Sequence, residues 1–409
     1  MDEKVIIQPN FQTYSINRIK DQINKLRKVL YCFILIFFMI NSGIIGFILI
    51  NSIYKRQIEL NDLSNEALLK MKSDLYKKIS DLEYILKGNS TKNINLNESN
   101  ITFNEDLIFN QSINDRYIKE QLYFCENQNI FYNKEFEDKI RIESVSILDK
   151  KYNMYIYKRG DEISNYIIRS KYWEKEESKN IIKALNYYSE KKNITIQDIY
   201  VLDIGANIGW YSILLGKYGF NIISFEPSQL NNYILKKNYC LNKEINLTII
   251  NKGLYTEEKK CDLFNINRNE GNGLVICEPY NDTYRPDNLY HNKTGEITLT
   301  KLSNYIPFLS EKNLVMIKID IEGSEAKAIE GGIELITKYH IPFIFLEFSP
   351  SLLKLHHSDP KQFLQLFIDN GYKISLSNFI EEKYKSLDNI LSRPQYLLNL
   401  YLVYSKIFE

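Results

Sequence analysis

The chain has 409 residues, enough for more than one domain, and its 44% hydrophobic and 25% charged residues are an ordinary globular balance. Lys+Arg 52 against Asp+Glu 51 leaves a formal net charge of +1, which removes the electrostatic case for a nucleic-acid partner. The five cysteines, Cys32, Cys125, Cys240, Cys261 and Cys277, include no Cys-x-x-Cys pair. That spacing excludes an ordinary zinc site. It reads as buried or free thiols, with one disulfide left open should the domain face an oxidising lumen.

Residues 1–28 form a basic tail, and residues 29–53 then run without a charge. A stretch of about 20 apolar residues spans the hydrocarbon core as a helix. The apolar run exceeds that of a cleaved signal peptide and is followed by Lys55 and Arg56, so an uncleaved signal anchor is expected. Arg18, Lys20, Lys25, Arg27 and Lys28 precede it, which places the N-terminus in the cytosol and the bulk of the chain in the lumen (ER or Golgi) or outside. All eight Asn-x-Ser/Thr sequons, at Asn89, Asn97, Asn100, Asn110, Asn193, Asn246, Asn281 and Asn292, follow the span, in keeping with that side.

Residues 54–100 hold a stalk and linker. Leu68, Met71, Leu75, Ile79, Leu82 and Leu86 fall three or four apart, one apolar helix stripe, through which the stalk could self-associate. Residues 88–100 are polar and patternless, a linker. Residues 101–197 read as a lead-in or cap, with strands at 146–157 and 163–168 and a helix at 174–188. No constellation of chemistry is visible there.

From 198 to 409 the pattern changes. Residues 199–204 are a nearly continuous apolar run broken by Asp203, and Gly205-Ala206-Asn207-Ile208-Gly209 follows, then a helix over 210–217. Strand, glycine turn, helix is the opening of a parallel α/β sheet. A second strand at 221–225 ends in Glu226-Pro227, 21 residues after Gly205, where an acid accepts the ribose hydroxyls of a nucleoside. Asp203 is placed to hold the amides of the turn. Asn207 stands where a dinucleotide fingerprint wants its middle glycine. S-adenosylmethionine has no phosphate to cradle, so it is favoured over a nicotinamide cofactor.

The segments VLDIGANIGWYS, ISFEPSQLNNYILKKN, VMIKIDIEGSEAKAIEGG and FIFLEFSP together resemble FkbM-type methyltransferases over about residues 198–350. The resemblance implies S-adenosylmethionine as donor, a hydroxyl acceptor, and a cofactor site made by Asp203, Gly205, Ala206, Asn207, Gly209, Glu226 and Pro227. The long polar segment 255–312 is expected to set acceptor choice.

The second motif also reads physically. A strand over 315–319 ends at Asp320, Glu322-Gly323 opens a helix bearing Ala326, Ile329 and Ile333, and a strand over 343–346 ends in Glu347. Asp320, Glu322 and Glu347 thus converge at the carboxyl edge of the sheet, as candidate catalytic groups. One would act as general base. Alternatively Asp320 and Glu347 share a divalent cation, which is not favoured because no Asn follows Glu347 to complete a cage. Each acid also has a plainer role: Glu322 favouring a helix N-terminus, Asp320 holding loop amides, Glu325 a solvated or structural charge. His356-His357 reads as a surface pair, although histidine is a frequent base.

The expectation is therefore a Rossmann-like class I methyltransferase sandwich behind an N-terminal transmembrane helix and helical stalk. Its function would be S-adenosylmethionine-dependent O-methylation of a glycan or other small acceptor. The rival is a membrane-bound interaction protein with a non-catalytic methyltransferase fold.

Overall fold

The computed structural model describes residues 105–266, 269–277, 290–381, 383–393 and 397–407. The expected membrane span, stalk, linker and Cys32 lie outside these residues, as do the sequons at Asn89, Asn97, Asn100 and Asn281. Among the described residues no helix is long and apolar enough to cross a membrane. Residues 102–409 form one compact unit.

The lead-in begins with helices α1 (Glu105–Glu126) and α2 (Lys134–Lys139) and an antiparallel hairpin, β1 (Ile140–Ile147) with β2 (Lys150–Tyr157). Residues 163–168, read as a strand, are instead helical, in α3 (Glu162–Ser170). Asp161 caps α3 by accepting the Ser164 amide at 2.7 Å. That side-chain cap settles the first turn as helix, which the Ile-rich composition alone does not. Helix α4 (Lys175–Lys192) follows, burying Ile181, Ile182 and Leu185.

The main sheet is laid down by β3 (Ile199–Ile204), helix α5 (Trp210–Lys217), β4 (Asn221–Phe225), helix α6 (Gln229–Leu241) and β5 (Leu247–Ile250). The segment expected to be polar and to set acceptor choice then forms its own four-stranded sheet: β6 (Gly253–Leu254), β7 (Lys259–Ile266), β8 (Asn269–Ile276) and β9 (Tyr290–Thr300), in the order β6-β9-β7-β8. The chain returns through helix α7 (Ile306–Ser310) to β10 (Asn313–Ile319), helices α8 (Glu325–Glu330) and α9 (Glu334–Thr337), and β11 (Phe343–Phe348). It closes with α10 (Pro350–Leu355), α11 (Pro360–Asp369), β12 (Tyr372–Ser375), α12 (Leu387–Leu391) and β13 (Leu398–Tyr404).

The seven strands lie in the order β12-β13-β11-β10-β3-β4-β5, with β13 antiparallel to both neighbours and the rest parallel. The chain runs outward from β3 to β5, then resumes at β10 on the other side of β3. That reversal is a switch point, and α/β sheets bind ligands at its carboxyl edge. Alternate residues serve two cores. Val201, Ile222, Phe345 and Tyr401 pack under α4, α5 and α6. Leu202, Ile223, Ile317, Ile344 and Leu402 pack under the helices of the opposite face.

Two covalent ties correct the reading of the cysteines as thiols. Cys125 of α1 is bonded to Cys240 of α6, and Cys261 of β7 to Cys277 just past β8. Helix α1 also finishes the sheet. The Gln121 side chain, 1% exposed, donates to the Leu247 carbonyl at 2.8 Å and accepts the Ile249 amide at 2.6 Å along the outer edge of β5.

Candidate active site

The turn after β3 is built from its two glycines. Gly205 has φ +77°, and a Cβ there would lie 1.9 Å from the Asp320 carbonyl oxygen; Gly209 has φ +91°, and its Cβ would meet Leu235 at 2.4 Å. Both positions demand glycine, because the turn packs hard against the end of β10 and against α6. The Gly205 and Ala206 amides donate to the Phe225 carbonyl at 3.0 and 3.1 Å. Glu226 accepts the Asn207 amide and the Ser228 amide, each at 2.8 Å. Pro227, between them, is half-buried beside the turn. The Asn207 side-chain oxygen is buried with no partner.

Asp203 does not hold the turn, contrary to expectation. It is 1% exposed and accepts the Ser212 hydroxyl at 2.5 Å. Its other oxygen lies 3.8 Å from the Lys318 ammonium. Lys318, itself 5% exposed, also donates to the Gly205 carbonyl at 3.1 Å and pairs with Asp320 at 3.3 Å. Burial alone would lower its pKa, but Asp320, Asp203, Glu174 and Glu347 outweigh that and hold it above the ordinary lysine value. One buried cation therefore ties the glycine turn to the second motif, a role that the sequence reading did not assign.

Asp320, Glu322 and Glu347 are brought together, with one carboxylate oxygen from each lying within 4.8 Å of the others. Such crowding favours protonation. Burial first, then the charge and hydrogen bond of Asp320, push Glu347 up to about 11. Burial and the charges of Asp320 and Glu325 push Glu322 up to about 8, against a hydrogen bond from Asn272 of β8. Glu322 sits at φ +55° outside any helix, so it does not serve a helix N-terminus. Glu325, expected to be solvated or structural, is 2% exposed and clamps the loop by accepting the Ile321 and Gly323 amides at 3.0 and 3.1 Å. Asp320 is thus spared that task. His356 is half-buried, 3.5 Å from the Ser324 hydroxyl; burial lowers it to about 4, while His357 is exposed.

The lead-in, where no chemistry was visible, supplies Glu174. It accepts the Tyr211 hydroxyl at 2.6 Å. Burial, with the nearby charge of Asp320, pushes it up to about 7.

These shifts make the unliganded domain pH-sensitive. Glu226 and Glu325 are raised by burial from 4.5 to about 7 and Glu322 to about 8, so the folded chain holds protons that the unfolded chain has already lost. Their stabilisation is fully present below pH 4.5 and is lost as pH rises through 7 to 8. His356, depressed from 6.5 to about 4, opposes this only below 6.5. The expected result is a melting temperature that falls between pH 6.5 and 8, by a stability loss on the order of a few kcal/mol. A melting temperature that is flat or rising across that window in calorimetry would count against these protonation states.

A doubly covered seven-stranded sheet, with its glycine turn and acid at the switch point, is the architecture of a Rossmann-like methyltransferase domain. Residues 203–374 match the family model described as the methyltransferase FkbM domain. No curated protein sequence is similar enough to the chain to count as a match. Solved structures resemble it only distantly. The bifunctional kinase-methyltransferase WbdD is 12% identical with a TM-score of 0.35, over 59% of this chain and 42% of that one. The T. thermophilus 16S rRNA methyltransferase RsmC, in complex with AdoMet and guanosine, is 10% identical with a TM-score of 0.31, over 65% and 50%. M. jannaschii TYW2, in complex with AdoMet, is 12% identical with a TM-score of 0.28, over 66% and 86%. The chain spans less than half the length of the WbdD chain. Likenesses this slight say nothing of what the domain acts on.

Proposed function

We propose that the chain is a membrane-anchored, S-adenosylmethionine-dependent O-methyltransferase acting on a hydroxyl of a glycan or other small acceptor. The observation that carries this reading is the meeting of Asp320, Glu322 and Glu347 beside the glycine turn, to which Lys318 ties them.

The residues of the turn fit an adenosine-bearing cofactor. The buried, unpartnered Asn207 oxygen seeks a donor, and each Glu226 oxygen, with one amide bound, has a lone pair left for a ribose hydroxyl. S-adenosylmethionine, when bound, supplies an electrophilic sulfonium methyl. Asp320 would hold and take the proton of the acceptor hydroxyl, leaving the acceptor oxygen as the nucleophile. Glu347, carrying its proton, donates to Asp320 and fixes its orientation. Lys318 balances Asp320 directly at 3.3 Å, the service that a shared cation would otherwise provide, which favours the metal-free reading. Isothermal titration tests the cofactor assignment. S-adenosylmethionine should bind and NAD should not, and Glu226→Ala should weaken binding by about tenfold or more, as for a lost charged hydrogen bond. Equal affinity in Glu226→Ala would remove that residue from the site.

The reading also places the N-terminus in the cytosol and the catalytic domain in the lumen or outside. Two disulfides support it, since such bonds persist in oxidising compartments. So do the exposed sequon residues Asn193 and Asn246. Protease added to sealed microsomes should spare the domain, and endoglycosidase should shift its mass. Full digestion without detergent would reverse the orientation.

A further inference from the structure

The geometry points to an acceptor subsite that lies outside the glycine turn: the groove between the first turns of α4 and the start of β13, shaped for an uncharged, polyhydroxylated chain such as a neutral oligosaccharide. The inference rests on the methyltransferase reading and names its substrate class.

The groove has a volume of about 280 Å³ and is lined by Glu176, Glu177, Asn180, Arg393, Asn399 and Tyr401, among others. That is near the small end of ligand clefts, about 300–1,000 Å³. Its position follows from strand register. Ile319 pairs with Ile204 on one side and with Leu346 on the other, so Asp320 and Glu347, one residue on, stand side by side at the carboxyl edge. Glu347 in turn pairs with Asn399. Partners in register project to the same face of a sheet. A row therefore runs from the Gly205 turn through Asp320 and Glu347 to Asn399, and Asn399 is already a wall of the groove. With strands about 4.8 Å apart, Asn399 lies roughly 10 Å from Asp320. An acceptor held in the groove and reacting at Asp320 is thus longer than a single small ring.

The lining chemistry selects the ligand. The carboxylates of Glu176 and Glu177 accept hydrogen bonds, the Arg393 guanidinium donates them, and the amides of Asn180 and Asn399 do both. Hydroxyls, which both donate and accept, match such a mixture. Asn180 is held in place by its bond to the Ser377 carbonyl at 2.9 Å and by the Tyr401 hydroxyl. Charge argues against an anion. Two carboxylates, Glu176 and Glu177, face one guanidinium in the groove. A uronate or phosphate would meet a surplus of like charge in the groove. All of these groove residues lie outside the matched stretch 203–374.

The test uses the full chain in detergent micelles with two separate readouts. Saturation-transfer NMR measures direct binding of neutral trisaccharides (maltotriose, mannotriose, chitotriose) and of trigalacturonate. A tritiated S-adenosylmethionine assay measures transfer to the same compounds. At least one neutral trisaccharide should bind, and trigalacturonate should not. Glu177→Gln and Asn399→Ala should each weaken that binding and raise the acceptor KM by about tenfold or more, with cofactor affinity unchanged. Binding of no neutral trisaccharide, equal binding in both variants, or preference for trigalacturonate would overturn the subsite. Neutral-glycan binding that persists in a chain unable to bind S-adenosylmethionine would leave the groove standing and sink the methyltransferase reading.

Discussion

Asp320→Asn is expected to lower turnover by about 10²–10⁴-fold while leaving S-adenosylmethionine affinity intact. Asparagine keeps the shape of aspartate but cannot take the acceptor's proton. The companion variant separates this reading from its rival. Glu347 is pushed up to about 11, so at neutral pH it already carries its proton, and Glu347→Gln replaces one hydrogen-bond donor with another. Its turnover should stay close to that of the parent, and EDTA should have no effect. If Asp320 and Glu347 instead share a divalent cation, Glu347→Gln would be as damaging as Asp320→Asn, and EDTA would stop turnover until Mg²⁺ was restored. Full activity in Asp320→Asn, with any acceptor that works, would leave that residue a structural acid.

Lys318→Met should cost about 3–5 kcal/mol of folding stability, because it strands a buried charge. Asp203 is 1% exposed, and its Oδ1 has no hydrogen bond, only the ammonium at 3.8 Å. The Gly205 carbonyl also loses its donor. The loss should be partly recovered by adding Asp203→Asn, since the double variant no longer buries an uncompensated carboxylate. Chemical denaturation of the two single variants and the double one measures the coupling. A cost under about 1 kcal/mol for Lys318→Met, the range of an exposed pair, would show that the lysine is not the keystone of the turn.

Legibility in the sequence varies with the kind of signal. The strands β3, β4, β10 and β11 show as apolar runs because both faces of each are covered, and the acids and glycines that end them mark the carboxyl edge. The meeting of Asp320, Glu322 and Glu347 follows from that edge. What the sequence hides are features fixed by single side chains at long range. Residues 163–168 mislead because Ile and Tyr content outweighs the cap at Asp161, although an Asp followed three residues later by Ser164 is there to be read. Glu174 is one acid in a charged stretch, EKEE, and only the fold sets it against Tyr211. Cys125 and Cys240 are 115 residues apart, a separation at which spacing says nothing of pairing. Glu325, and not Asp320, holds the loop amides for a geometric reason: the left-handed backbone at Glu322 and Gly323 turns those amides toward Glu325.

The side chain of Gln121 has a consequence for how molecules of this protein meet one another. An outermost strand normally presents bare amides and carbonyls that invite a foreign strand to join, the route by which β-sheet proteins clump. Here one amide side chain imitates the missing neighbour over Leu247 and Ile249, and the bond between Cys125 and Cys240 keeps its helix from drifting away. A polypeptide cut to begin at residue 198 would retain every recognisable motif and forfeit this guard. The lead-in thus protects solubility as well as framing the site, and the smallest useful fragment of this protein begins near residue 102.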